Sequence, residues 1–344
     1  MTVIDSKILW VRKFVANFIF AISILIVVPD FNIANAQEPT GRVGAFSLPN
    51  SPWDVQWQRF RENVQTSGLE LEYFIRGELG SEESMLASLK RDRLQVSGIS
   101  LQGIASVIPE INIAMAPFLF RSQEEVDFIY DKVLLKRANQ LLEPHGIILL
   151  RWLESGWLSI GAQSPIQAPA DIQGLRIGGS PNVAIQSFLT AVGADAIPIA
   201  SVDLVQALQS GLVDGAIKPT ALIYSNLRED VKTVALLNVA YDTGGLLANR
   251  GWAVSLPNEH FQALVEGHGP SDAVRGEVRK MVDEQIEEMS ALGIQVTIPS
   301  IGERNVWEGI GLSLHDDIIE QVGGRTQAVY DEIREALENY RLTN

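Results

Sequence analysis

Cysteine is absent from the 344 residues. That removes disulfide frameworks, thiolate metal sites, cysteine nucleophiles and a lipid-modified cysteine anchor. Positive charge is scarce, with 27 Lys and Arg against 42 Asp and Glu and a net charge of −15. An acidic surface repels phosphate, so nucleic acid is excluded as a partner. Histidine is sparse as well. His145, His260, His268 and His315 are scattered, none pairs with another at i, i+4, and no His-Glu-x-x-His is present. His315-Asp316-Asp317 reads as a solvated helix face rather than a metal site. A Walker A loop, a G-x-S-x-G elbow and a G-x-G-x-x-G after a strand are all missing. Gly178-Gly179-Ser180 reads as a tight turn, and Asp214-Gly215 as a turn or cap. No acid–base–nucleophile set assembles, so the chain reads as non-enzymatic, with no cofactor and no metal.

Long hydrophobic runs are limited to one. Phe14 to Val28 is an apolar stretch of 15 residues behind Lys7, Arg12 and Lys13. It is shorter than the ~20 residues of a spanning helix. Ala34-Asn35-Ala36 offers small residues for a signal peptidase. Residues 1–36 are therefore expected to be a cleaved secretory signal, with Gln37 the first mature residue. The whole chain is 46% hydrophobic and 20% charged, an ordinary globular composition, and it is long enough for one large or two ordinary domains.

What is present alternates apolar runs with amphipathic stretches, which predicts an α/β fold. Strands are expected over Arg42–Phe46, Leu69–Phe74, Leu94–Ile99, Gly146–Leu153, Leu175–Ile177, Val213–Ile217 and, after Thr243-Gly244-Gly245, over Trp252–Leu256. Helices are expected over Pro52–Thr66, from the cap Ser81, over Glu124–Leu142 and over Pro181–Val192. Ser201 is expected to cap a helix from Val202 to Ser210. A long helix over about Ser271–Leu292 and a charged tail helix over Gly324–Tyr340 follow the 3.6-residue period. Two blocks with the chain crossing back imply two α/β lobes and a cleft.

The ordered segments resemble the extracytoplasmic solute receptors of tripartite ATP-independent periplasmic (TRAP) transporters, the dicarboxylate-receptor-like family. The matching pieces are Gly77-Glu78-Leu79-Gly80-Ser81-Glu82 with Met85-Leu86 and Leu89, Pro117-Phe118-Leu119-Phe120-Arg121, Trp152-Leu153-Glu154-Ser155-Gly156, Ala170-Asp171-Ile172-Gln173-Gly174-Leu175-Arg176-Ile177, and Val205 through Gly215. The resemblance runs from about Arg42 to Leu292. The resemblance implies a periplasmic-binding-protein-like fold, with two lobes joined by hinge strands and a long helix spanning both. Lobe I is expected over 37–159 plus about 247–287, and lobe II over 160–246 plus about 288–344. It further implies periplasmic location, a small organic ligand in the cleft and delivery to a small and a large membrane permease subunit. Two alternatives stay open: a receptor working with a helical-repeat (TPR) protein, and a subunit presenting its ligand to a sensor kinase.

The departures from the family pattern bear on the ligand. Gly178 stands where an arginine normally forks onto a ligand carboxylate, and Leu158 stands where many members carry a second one. An arginine fork is planar and bidentate, so its loss removes a carboxylate-shaped contact. Lys218 falls where relatives often place an asparagine and restores one point charge. Phe46, Trp53, Trp157, Leu158 and Trp252 are expected to face the cleft with Ser100, Gly178 and Lys218, which favours a partly apolar ligand.

Overall fold

A computed structural model describes residues 41–47 and 51–344. The expected signal segment and its cleavage point lie outside these residues. Ten strands form one sheet: β1 (Gly41–Gly44), β2 (Leu71–Phe74), β3 (Val96–Ser100), β4 (Ile147–Ala162), β5 (Arg176–Gly179), β6 (Asp195–Pro198), β7 (Gly215–Pro219), β8 (Thr233–Ala235), β9 (Tyr241–Asn249) and β10 (Gln295–Thr297). Their order is β2-β1-β3-β9-β4-β7-β5-β6, with β8 also on β4 and β10 on β8. The sheet has two halves. In the first, β2, β1 and β3 are parallel and β9 runs against β3. In the second, β6, β5 and β7 are parallel and β4 runs against β7.

Strand β4 belongs to both halves. Its residues Ile147 to Trp157 pair with β9, and from Leu158 onward it pairs with β7. The expected strand over Gly146–Leu153 thus continues to Ala162. Two register shifts, at Leu149/Arg151 and Glu154/Gly156, let it bend between partners. Gly156 has φ +109, a backbone a side chain would strain, which fixes the second bulge as a glycine position.

Each half buries one face in a cluster of its own. Val43, Val96, Leu246 and Ala248 pack with Trp57, Phe60 and Val64 of the helix Pro52–Thr66. Leu204, Val213, Ala216, Ile223, Val234 and Met289 fill the second half. A third cluster is continuous, from Met85 and Leu89 through Ile160 and Ile177 to Trp307 and Leu337. The helix Ser271–Ala291 joins the halves. Its first residue accepts from Arg151 of β4 through Ser271 Oγ at 3.0 Å, and Met289 near its end is buried in the second-half cluster. The tail helix Thr326–Thr343 packs on Pro109–Met115 and the 123–134 helical turns, with Arg341 on Glu125 at 2.7 Å. No described helix is long and apolar enough to cross a membrane.

Several local expectations change. Trp252–Leu256 is not a strand. Arg250–Ser255 is a helix, because Asn249 Oδ1 accepts from the Trp252 N–H and caps it. The strand lies just before it, and Gly244-Gly245 is inside it rather than a turn. A Cβ on Gly244 would lie 2.9 Å from the Ile99 carbonyl oxygen, and one on Gly245 would lie 2.6 Å from Leu149 Cδ1. The glycines let strands and core approach closely. Gly178-Gly179 likewise falls in β5 and not in a turn. The helix expected over Glu124–Leu142 is Gln123–Ile129 and Leu135–Leu142 around a π-turn, Tyr130–Leu134. Ser201 opens a 3₁₀ turn and caps nothing; the helix that follows is Leu204–Gln209. His315 is buried, not solvated: its ring nitrogens meet Tyr330 Oη at 2.9 Å and the Pro117 carbonyl at 2.8 Å.

Candidate functional site

The parallel strands end together in each half, and those ends carry the polar side chains described next. Lys218, the fourth residue of β7, is 8% exposed. Its ammonium donates to Ser201 Oγ and to nothing else among the described residues. The charges acting on it are those of Asp242 in β9 and of Glu82, a helix residue. Burial draws the Lys218 pKa below the ordinary lysine range, and the two carboxylates oppose that shift. Asp242 is the second residue of β9. Protein surrounds it deeply although it keeps partial solvent contact, and burial pushes its carboxyl up to about 6 against the pull of Lys218.

Glu82 sits in the first turn of the helix Glu82–Lys90, whose N-cap is Ser81 as expected. Its carboxylate reaches the end of β3, accepting the Ser100 N–H at 2.7 Å and the Ser100 hydroxyl at 2.6 Å. Phe46 follows β1, pairs with Arg76 through an isolated bridge and is 54% exposed. Arg76 is spent on Asp54 at 2.6 Å and on Ser47. Trp53 lies at the start of its helix and donates to the Glu154 carbonyl at 3.2 Å, just before the Gly156 bulge. The ends of β1, β3 and β7 therefore carry Phe46, Ser100 and Lys218, with Trp53 beside the hinge. Ligands of open α/β sheets bind at these carboxyl ends of strands.

Four expected site residues are engaged elsewhere. Leu158 is 4% exposed inside the continuous core. It neighbours Ser159, which is paired with Lys218, so pleat alternation turns it away from the lysine. Gly178 is covered: a Cβ there would lie 2.7 Å from Leu204 Cδ2. Trp252 packs beside Gly41, at the opposite end of β1 from Phe46. Trp157 stands edge-on to Tyr241, with ring centroids 4.8 Å apart, in a separate cavity of about 480 Å³. That cavity lies between the crossing strands, Val278 to Ile286 of the long helix and the Ile298–Arg304 segment.

Behind the hinge lies an ionic cluster that sequence reading missed. Arg279 donates to Glu154 Oε1 at 2.9 Å and to both oxygens of Asp127, at 2.8 and 2.6 Å. The Tyr241 hydroxyl donates to Glu154. Arg275 holds Asp131 through two bonds of 2.8 Å. Burial pushes the Glu154 carboxyl upward, opposed by Arg279 and Tyr241. Asp242 was missed as well, because Tyr241-Asp242-Thr243 carries no motif. Glu82 was visible only as the last residue of the Gly77–Glu82 motif.

The sequence model for bacterial extracellular solute-binding protein, family 7 (DctP) matches residues 47–321. The chain belongs to this family. It is a TRAP-type solute-binding receptor and not an enzyme, and receptors of this family bind small organic ligands and work with membrane permease subunits. Among its relatives, the C4-dicarboxylate-binding periplasmic protein of Rhodobacter capsulatus is 22% identical over 83% of this chain and 87% of its own length. The ectoine-binding periplasmic protein of Halomonas elongata is 22% identical over 83% of this chain and 86% of its own. Among solved structures, the sugar acid binding protein of Advenella mimigardefordensis with galactonate superposes with a TM-score of 0.78, at 25% identity, covering 86% of this chain and 98% of that one. A receptor from Chromohalobacter salexigens with D-glucuronate gives the same TM-score at 19% identity, covering 86% and 100%. These likenesses make the two-lobed fold of the DctP family that of this chain.

Proposed function

We propose that this family 7 receptor binds a small organic ligand by a carboxylate, with Lys218 as the anion hook that replaces the missing arginine fork. One observation carries the reading: an ammonium that is nearly buried, at the carboxyl end of a strand, with a single serine hydroxyl for three donors. Removing such a charge from water is costly unless an acceptor arrives. The Ser201 hydroxyl, which accepts from Lys218, keeps its own proton to donate, while Phe46 and Trp53 supply apolar contact for the ligand body. Leu158 and Trp252 are committed to packing, and Trp157 lines the cavity against the long helix, so the apolar share beside Lys218 is smaller than the sequence alone suggests.

The lobes in this reading are the two sheet halves. The chain crosses between them at Trp157–Leu158, at Ala240–Tyr241 and within the long helix. Ligand binding brings the halves together, and the closed form is what the permease subunits receive. The relatives named above lend nothing to a TPR-partnered or kinase-coupled role.

Mass spectrometry of small molecules extracted from the purified native protein identifies the ligand, and calorimetry with wild type and Lys218→Met tests the hook. The expected result is a carboxylate-bearing compound whose affinity falls by about one to two decades in the variant, the size of a charge-assisted bond. A ligand that binds both proteins equally removes Lys218 from the site.

A further inference from the structure

The cavity of about 480 Å³ beside Trp157 has the size of a small-molecule site, and neither Lys218 nor Ser201 is on its wall. The wall draws on both sheet halves. Glu154 to Trp157 of β4 and Tyr241 of β9 come from the crossing, Val278 to Ile286 from the long helix, and Ile298 to Arg304 from the segment after β10, which pairs with β8.

Charge on this wall is already matched. Arg279 is spent on Glu154 and Asp127. Arg304 donates to Glu308 at 2.7 Å and to the Leu237 carbonyl at 2.6 Å. Asp283 is exposed, so water solvates it. No cation on the wall is left for an anionic ligand. The apolar share is large: Trp157, Leu236, Val282 and Ile286 line the cavity, and Ile298 and Ile301 at its mouth are 75% and 84% exposed. Covering those two isoleucines removes apolar surface from water. Gln123 and Asn238 are also on the wall, and neither side chain makes a hydrogen bond among the described residues. Asn238 is held at φ +50 between the buried Leu237 and Val239, and the Val239 carbonyl accepts the Phe118 N–H at 2.6 Å. The backbone on both sides therefore fixes where this amide sits.

We propose that this cavity is a second binding site, for a neutral and largely apolar small molecule with a hydrogen-bonding group for the amides. Its occupant touches Gly156, where β4 bends, and so sits on the hinge rather than between the strand ends. The site stands whether or not Lys218 is the anion hook.

The test is a fluorescence titration at pH 7.5 with two probes of one skeleton, neutral N-phenyl-1-naphthylamine and anionic 8-anilinonaphthalene-1-sulfonate. Wild type, Val282→Trp, Ile301→Asp and Lys218→Met are compared, with circular dichroism confirming that each is folded. Val282→Trp fills the cavity. Ile301→Asp charges its mouth at the first residue of a helix, where an acidic side chain is tolerated. The neutral probe should saturate at one site and bind about 10-fold or more tighter than the sulfonate. Each cavity variant should weaken it by about 10-fold or more, and Lys218→Met should leave it unchanged. If Val282→Trp does not fold, Ile301→Asp decides alone. Failure to saturate, or neutral-probe binding that a folded cavity variant leaves unchanged, overturns the site. A sulfonate that binds as tightly overturns the neutral class, and loss of binding in Lys218→Met places the probe in the cleft instead.

Discussion

Arg279 Nε stands 2.9 Å from Glu154 Oε1, which fastens the middle of the long helix to the strand that crosses between the sheet halves. Glu154 is two residues before Gly156, at the bulge where β4 bends. The same guanidinium holds Asp127, and the same carboxylate receives the Tyr241 hydroxyl of the other crossing strand. The hinge is thus clamped by a charge cluster around the buried Glu154.

Removing one member of a buried pair strands the other, at a cost of about 3–5 kcal/mol. Arg279→Met should lower unfolding stability by roughly that amount in a urea titration. The double variant with Glu154→Gln should lose less than the sum of the two single changes. Additive losses would show that the two groups do not act as a unit.

Asp242 makes a signed prediction about pH. Its folded pKa is raised from 3.8 to about 6, so the native state takes up the proton more readily than the unfolded chain. Its contribution to stability is fully present below about pH 4 and is lost as pH rises through about 6. Between pH 7.5 and 4.5, wild type should therefore gain stability relative to Asp242→Asn, measured as the difference between paired urea midpoints. The opposite sign would mean that Lys218 outweighs burial at this carboxyl.

Buried His268 works in the other direction. It is packed between Trp57 and Phe60, and burial lowers its pKa from 6.5 to about 3. The neutral ring contributes stability that is present above about pH 6.5 and is lost as pH falls toward 3. His268→Phe should flatten this part of the acid limb in thermal melts between pH 7 and 4, whatever the variant does to stability at neutral pH.

Two glycines should respond oppositely to alanine. Gly276, inside the long helix, has open space where a Cβ would go. Gly276→Ala should stabilise by about 0.5–1 kcal/mol through the unfolded chain. Gly244→Ala would drive a methyl to 2.9 Å from a backbone oxygen and should destabilise by about 1–3 kcal/mol. Denaturant titrations of the two variants check both signs.

Restoring an arginine at position 178 should not restore a carboxylate fork. Leu204 Cδ2 occupies the direction a side chain would take, and Leu204 is buried in its own cluster. Gly178→Arg should lower stability by about 1–3 kcal/mol and leave succinate binding, read by calorimetry, no tighter than in wild type.

The sequence by itself determined the α/β class, the receptor family, most helix positions and the residue type at Lys218. Those properties are written in local order: apolar periodicity, caps such as Ser81, and short motifs whose partners lie within one turn or strand. It misread Trp252–Leu256 because the cap that makes a helix there, Asn249, closes a strand whose glycines look like a turn until the core presses on them. Only the tertiary structure decided which side chains share the cleft. Trp157, Leu158 and Trp252 are apolar and lie near the right motifs, but the pleat sends Leu158 into the core, the helix after β9 packs Trp252 beside Gly41, and Trp157 lines a cavity against the long helix. Asp242 and Glu82 are 160 residues apart in sequence and belong to no common pattern. Both charges act on Lys218, Asp242 from β9, which returns between β3 and β4, and Glu82 from a helix start at the end of β3, and those placements are set by pairing across the sheet rather than by neighbours along the chain.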